Sequence, residues 1–294
     1  VGDWTIRDFP VRTGYVGSVA VHAPDVHVIR YEVDLGDLLS AAGPPAFDDV
    51  PDERRTTVSE GRLKVFCLPH AGGNAQHFLL WRRALPESVE VVPVDLPGHG
   101  TRLGEPLVDE WDELVADLVA VIGSRVGGPY AILGHSLGAL LAFEVARTLE
   151  RRGTPPELLV AVGRNAPAAP LSHPPIHALP DLPFFGALRR LGGLPDGVLR
   201  QPELLRMFLP ALRTDLRLAE HYTRAPGPGL SCPVLAVSGQ DDRMTDAAGM
   251  ADWSAETTGE CEVVRVPGDH FPLQREEFLD VLRTRLAAPV RGAR

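Results

Sequence analysis

The sequence predicts an α/β protein: a mostly parallel sheet flanked by helices, carrying a helical lid insertion. Three observations lead there. From position 63 onward, short apolar runs rich in β-branched residues alternate with helical stretches, and unbroken apolar strands of this kind belong to parallel sheets covered on both faces. The alternation is broken once, at about 166–230, by a segment without strands that starts proline-rich. Lastly, one strand-to-helix junction carries Gly134-His135-Ser136-Leu137-Gly138.

The elements follow in order. Residues 1–61 stand apart from the rest. Positions 26–33 alternate like a strand, and 41–53 form a proline-rich acidic linker. With eleven acids and five arginines, residues 1–60 carry a net charge of −6. We read 1–61 as a loosely ordered N-terminal extension or linker, with a docking segment or a remnant of a fused neighbour as the functional alternative. Residues 62–290 read as the folded domain. Strands are expected at 63–68, 89–95, 130–134, 158–163, 234–239 and 261–266. Helices are expected at 76–84, 109–125, 137–152, 246–257 and 275–287, and inside the lid at 181–192 and 202–222.

Composition narrows the function classes. A net charge of −10 over 294 residues argues against a general nucleic-acid binder. No apolar run approaches the ~20 residues of a membrane span. The sequence starts without a basic segment leading into an apolar one, so a cytoplasmic location is expected. Cys67, Cys232 and Cys261 are far apart and form no C-x-x-C pair, which points to buried free thiols rather than a metal site or disulfides. No cofactor is called for.

The junction at Ser136 carries the chemistry. An apolar run precedes it and a helical pattern follows, as a G-x-S-x-G nucleophile elbow requires. The flanking glycines relieve the tight turn, and the first N–H groups of the following helix face the developing oxyanion. A serine hydroxyl needs a base, and the base an orienting carboxylate. In such elbows the acid and then the histidine follow downstream. The strand at 234–239 leads into Gln240-Asp241-Asp242, and the strand at 261–266 into Pro267-Gly268-Asp269-His270-Phe271. His270 is the candidate base. Asp242 is preferred as its partner over Asp241, because the G-x-x-D spacing carries the carboxylate over the strand end. Asp269 reads as a solvated loop acid. Ala71, in the glycine-rich loop after the first strand of the domain, and Leu137 are the candidate oxyanion donors. His70 and His99 read as loop and turn residues, and Trp81 and Trp111 as packing.

With these residues placed, the chain resembles the type II thioesterases that accompany polyketide and nonribosomal peptide synthases, over about 63–286. Cys67-Leu68-Pro69-His70-Ala71-Gly72-Gly73 matches the family's opening loop, and residues 94–102 its next turn. Residues 163–167 resemble the segment leading into the lid. Residues 191–195, 202–204 and 209–215 resemble the lid helices, and 267–271 the histidine loop. The resemblance implies an α/β-hydrolase fold and hydrolysis of acyl groups from the phosphopantetheine arm of acyl or peptidyl carrier proteins. It carries Ser136, Asp242 and His270 over as a triad, and favours Asp242 because Trp253 sits at the family's distance beyond it. Three departures bear on acyl preference: Asn165 stands for a common arginine, Asp269 for a glycine and Pro272 for an aromatic residue. The lid stretch 181–224 holds seven arginines and five acids, so it carries +2 and the remainder −12. A basic lid suits an acidic carrier protein, and ordinary solvated helix faces are the alternative. Three other functions stay open: a chain-releasing, cyclising thioesterase, a carboxylesterase without a carrier protein, and a non-catalytic carrier-binding adaptor.

Overall fold

The computed structural model describes residues 5–11, 15–21, 62–193 and 202–287. The chain divides into two compact units, Val1–Thr57 and Val58–Arg294. In the first, β1 (Thr5–Val11) and β2 (Tyr15–Val21) pair antiparallel, with Thr5 opposite Val21 and Val11 opposite Tyr15. The sequence reading had no strand here: Pro10 and the charges of Arg7 and Asp8 interrupt β1, and Gly17 weakens the pattern of β2. The strand expected at 26–33 and the linker at 41–53 lie outside the described residues.

The second unit is built on six strands: β3 (Leu63–Leu68), β4 (Val89–Pro93), β5 (Tyr130–His135), β6 (Leu158–Val162), β7 (Val234–Gly239) and β8 (Cys261–Val266). Their order is β4-β3-β5-β6-β7-β8, and every neighbouring pair is parallel. The expected α/β class and parallel sheet are therefore observed.

Side-chain alternation along each strand feeds two cores. Phe66, Leu68, Ile132, Leu159 and Ala236 face one side, where α1 (Trp111–Gly123) and α2 (Leu137–Arg151) cover them. Val65, Cys67, Leu133, Val160 and Val237 face the other, under Phe78, Trp81 and the helix α6 (Glu276–Ala287) that brings Phe278 and Leu282. The middle strands β5, β6 and β7 are buried throughout, and their polar side chains are confined to Tyr130, His135 and Ser238 at or next to the strand ends.

Two expected helices differ in kind. Ala75–Arg83 is a 3₁₀ helix. Its buried residues Ala75, Phe78 and Trp81 fall three apart, the period of a 3₁₀ turn, and the Trp81 indole N–H holds the Leu273 carbonyl at 3.1 Å. The stretch 246–257 is split into α5 (Ala247–Ala251) and a 3₁₀ turn, Asp252–Glu256, that buries Trp253.

Between β6 and β7 the chain forms α3 (Asp181–Leu191) and α4 (Pro202–His221), with no strand among the described residues of the segment. This insertion is braced from within. Glu220 accepts the N–H groups of Ile176 and His177 and meets His177 Nδ1 at 2.5 Å. Arg213 reaches Asp181 at 2.8 Å and lies 4.2 Å from the centre of the Phe184 ring. Among the described residues no helix is long and apolar enough to cross a membrane.

Candidate active site

Ser136 is the single residue between β5 and α2, with φ +57° and ψ −114°. It is the one non-glycine residue of positive φ among the described residues, a conformation costing about 1–3 kcal/mol. The flanking glycines are required by contact. A Cβ on Gly134 would lie 1.9 Å from the Gly138 carbonyl oxygen, and one on Gly138 would lie 2.5 Å from the Leu68 carbonyl oxygen. The end of β5, the start of α2 and the end of β3 are thus pressed together without room for side chains. The Ser136 N–H donates to the Val162 carbonyl at 2.8 Å, which continues the sheet through the turn. As the first residue of α2, Leu137 keeps its N–H outside the helical ladder.

The other two residues arrive from the loops after β7 and β8. His270 Nδ1 lies 3.1 Å from both carboxylate oxygens of Asp242, and all three side chains are buried. Asp242 Oδ1 also accepts the Met244 N–H at 2.9 Å, which fixes the carboxylate. With Nδ1–H directed at Asp242, Nε2 is left as the basic nitrogen. Asp241 is exposed, and Asp269 accepts the N–H of Phe271 at 3.0 Å. Among the described residues, Asp242 is the carboxylate that meets the ring. Ser136, His270 and Ala71 line one small cavity. No hydrogen bond joins Ser136 Oγ to His270 among the described residues, and such bonds commonly tighten only with substrate.

The cavity holds about 10 Å³, the space of one water molecule. Its remaining walls are His70, Met244, Gly193 and the insertion residues Leu188, Leu212 and Leu216. A larger groove of about 320 Å³ lies elsewhere, between the start of α1 and the end of α4, and holds none of the five predicted site residues.

Two further histidines brace the site, and one of them, His70, is in the cavity wall. His135 Nε2 is 2.7 Å from the His270 carbonyl oxygen. A carbonyl can only accept, so Nε2 carries the proton and fastens the histidine loop to the end of β5. The His135 ring stands 5.0 Å from that of His270 and 5.1 Å from that of His70, which also packs 5.0 Å from Phe271. Burial, then the neighbouring imidazoles, drive His135 well below the ordinary histidine range and His70 down to about 3. Both are neutral near pH 7. A charge on His135 would oppose a charged His270, 5.0 Å away, by about 3 kcal/mol at an effective dielectric of 20. Sequence reasoning passed over both: His135 as the variable residue of the elbow, His70 as a loop residue. The pocket residues Met244, Leu212 and Leu216 had no local signal.

Asn165 lies away from the cavity. Its amide donates to Asp246 Oδ2 at 2.9 Å and its carbonyl accepts the Asp246 N–H at 3.1 Å, which ties the loop after β6 to the start of α5. Trp253, which marked the spacing beyond Asp242, closes the same corner by donating to the Arg164 carbonyl at 2.9 Å. Among the described residues no cluster of three or more histidine, cysteine or acidic side chains is placed to hold a metal ion.

Comparison with known proteins places this geometry in company. The thioesterase-domain family model matches residues 63–287. The chain is similar to the gramicidin S biosynthesis protein GrsT of Aneurinibacillus migulanus, with 35% identity over 222 residues that cover 75% of this chain and 86% of GrsT. It is 40% identical over 213 residues to the thioesterase PikA5 of Streptomyces venezuelae, covering 72% and 75% of the two chains. The solved structure of the type II thioesterase BorB from the borrelidin biosynthetic cluster superposes with a TM-score of 0.70 at 38% identity, over 76% of this chain and 93% of BorB.

Proposed function

The chain belongs to the thioesterase-domain family, as a type II thioesterase of the α/β-hydrolase fold that hydrolyses thioesters, and we propose that it does so by a Ser136–His270–Asp242 triad acting on acyl groups borne by the phosphopantetheine arm of a carrier protein. The observation that carries this reading is the strained Ser136 elbow sharing one cavity with a histidine whose far nitrogen is held by a buried carboxylate.

The chemistry follows from the placement. His270 Nε2 takes the Ser136 hydroxyl proton as Oγ attacks the thioester carbonyl. The carbonyl oxygen, now negative, sits against the N–H groups of Ala71 and Leu137. As the C–S bond breaks, His270 returns the proton to the leaving thiol, and the acyl group stays on Ser136. Water then attacks the ester with His270 again as base, and a free acid leaves. Asp242 orients the ring and stabilises its charged form at each step. Domain 62–290 is the catalytic unit, with 166–230 as its lid. Leu188, Leu212 and Leu216 wall a cavity of about 10 Å³, too small for an acyl chain, so an acyl arm enters only as these side chains move.

The test is release of acyl groups from a panel of acyl-carrier proteins, followed by intact-protein mass spectrometry, with Ser136→Ala beside the wild type. Loss of the acyl mass with wild type alone supports the reading. Equal rates on small oxygen esters and carrier-bound thioesters would replace the carrier-protein substrate by a general esterase. A cyclic product in place of a free acid would make the protein a chain-releasing enzyme, and retention of the acyl group on the carrier would make it an adaptor.

A further inference from the structure

The lid places one carboxylate against the oxyanion loop. Asp215 lies on α4 and is 2% exposed. It falls between Leu212 and Leu216, the two α4 side chains in the cavity wall, and spacings of three and four put them on one helix face. Asp215 Oδ2 accepts the Gly72 N–H at 2.7 Å. His99 Nε2 stands 3.1 Å from the same oxygen, and both side chains are buried.

The charge state of this contact follows from the other ring nitrogen. His99 Nδ1 lies 2.9 Å from the Pro97 carbonyl, which can only accept, so Nδ1 bears a proton. A neutral ring would then present a bare Nε2 to a carboxylate. The contact is attractive when His99 is an imidazolium. Burial works against that charge, but Asp215, the Pro97 carbonyl and Asp95 outweigh it and raise His99 above the ordinary histidine range. His70 is the neighbouring imidazole, kept neutral first by burial, then by repulsion from His77, His270 and, least, His99.

Gly72 directly follows Ala71, and its φ of +67° marks a backbone that glycine leaves free to turn. The loop has two other anchors: the Gly73 N–H donates to the His70 carbonyl at 2.9 Å and closes the turn over Ala71 and Gly72, and the Ala75 N–H donates to Asp95 at 2.6 Å. The lid residues Leu188, Leu212 and Leu216 are apolar and cannot orient a peptide. We propose that Asp215, backed by His99, is a positioning residue: by holding the Gly72 N–H it fixes the Ala71–Gly72 peptide, and across the Ala71 Cα the adjoining His70–Ala71 peptide whose N–H is the donor, so that the oxyanion site is complete only while α4 is seated. The proposal rests on the reading of Ala71 as an oxyanion donor. Lid movement that admits an acyl arm draws Asp215 off Gly72, and reseating restores the donor.

The test compares two inhibitors on wild type, Asp215→Ala and His99→Gln. A trifluoromethyl ketone forms a hemiketal on Ser136 and generates the oxyanion. A thioether analogue of the substrate occupies the same site without one. Asp215→Ala is expected to weaken the ketone about 10- to 100-fold, since loss of one oxyanion donor costs about 100- to 1000-fold and here the donor is displaced rather than removed. Thioether affinity and KM should stay within about three-fold while kcat falls with ketone affinity. His99→Gln should show the same split at about 3- to 10-fold, and it carries the test if Asp215→Ala does not fold. Equal weakening of both inhibitors, or ketone affinity within two-fold of wild type in the folded variants, would overturn the proposal. Wild type that binds the ketone yet releases no acyl group would instead overturn the functional reading, while the inhibitor pair still reports on Asp215.

Discussion

Acid should destabilise this protein through His70 and His135, by an amount the site geometry defines. Both imidazoles are neutral in the fold, one with its proton affinity down to about 3 and the other well below the ordinary range. In the unfolded chain they titrate near the reference value of about 6.5. Between the folded and unfolded values the unfolded state binds more protons, so stability falls as pH falls. Going from pH 7 to pH 5, each such histidine costs about 1.4 powers of ten in the folding equilibrium, or about 2 kcal/mol. His70→Phe keeps an aromatic ring between His135 and Phe271 and removes one titrating group. Urea unfolding followed by tryptophan fluorescence at both pH values is the assay. Wild type should lose about 2 kcal/mol more than His70→Phe over this interval, the other titrating groups being common to both. A stability difference that stays flat within about 0.5 kcal/mol from pH 7 to pH 5 would refute the reasoning, because His70 would then be charged in the fold or exposed to water.

Two further substitutions probe the site. Asp242→Asn should lower kcat by about 10⁴-fold with little change in the melting temperature, since an amide cannot hold the ring in the productive tautomer; Asp241→Asn should stay within about two-fold, and reversed effects in thioester assays would exchange their roles. Gly138→Ala adds a Cβ 2.5 Å from the Leu68 carbonyl oxygen and 2.6 Å from that of Pro69, both backbone atoms. It should cost about 2 kcal/mol or more and lower kcat/KM at least about 100-fold by moving the elbow, and a normal melt with normal activity would show that the elbow tolerates the shift.

The sheet was legible because its central strands are buried on both faces, so that Ile132, Leu133, Val160 and Val237 leave no ambiguity of period. Ser136 and His270 were legible because their loops combine glycine, proline and a reactive residue at strand ends. The choice of Asp242 over Asp241 rested on turn spacing and a family distance. The ring contact of Asp242 is tertiary, made across 28 residues. What stayed hidden is of the same kind. His135 reads locally as a filler between glycine and serine, and its bond to the His270 carbonyl spans 135 residues. His99 reads as a turn residue until α4 brings Asp215 to it. The helix expected at 76–84 has an apolar pattern that suits either period, and the line of Ala75, Phe78 and Trp81 against the sheet selects the tighter one. The departure at Asn165 suggested an altered acyl site, whereas its side chain is engaged with Asp246 outside the cavity.

The most direct measurement is rapid-quench mass spectrometry of the protein during turnover of an acyl-carrier protein, with peptide mapping of the modified residue. The account predicts a transient acyl mass on the peptide containing Ser136, decaying at the rate at which free acid appears, and its accumulation in His270→Ala if acylation still proceeds slowly. Free acid released with no acyl-enzyme at any time, or an adduct on a residue other than Ser136, would contradict it.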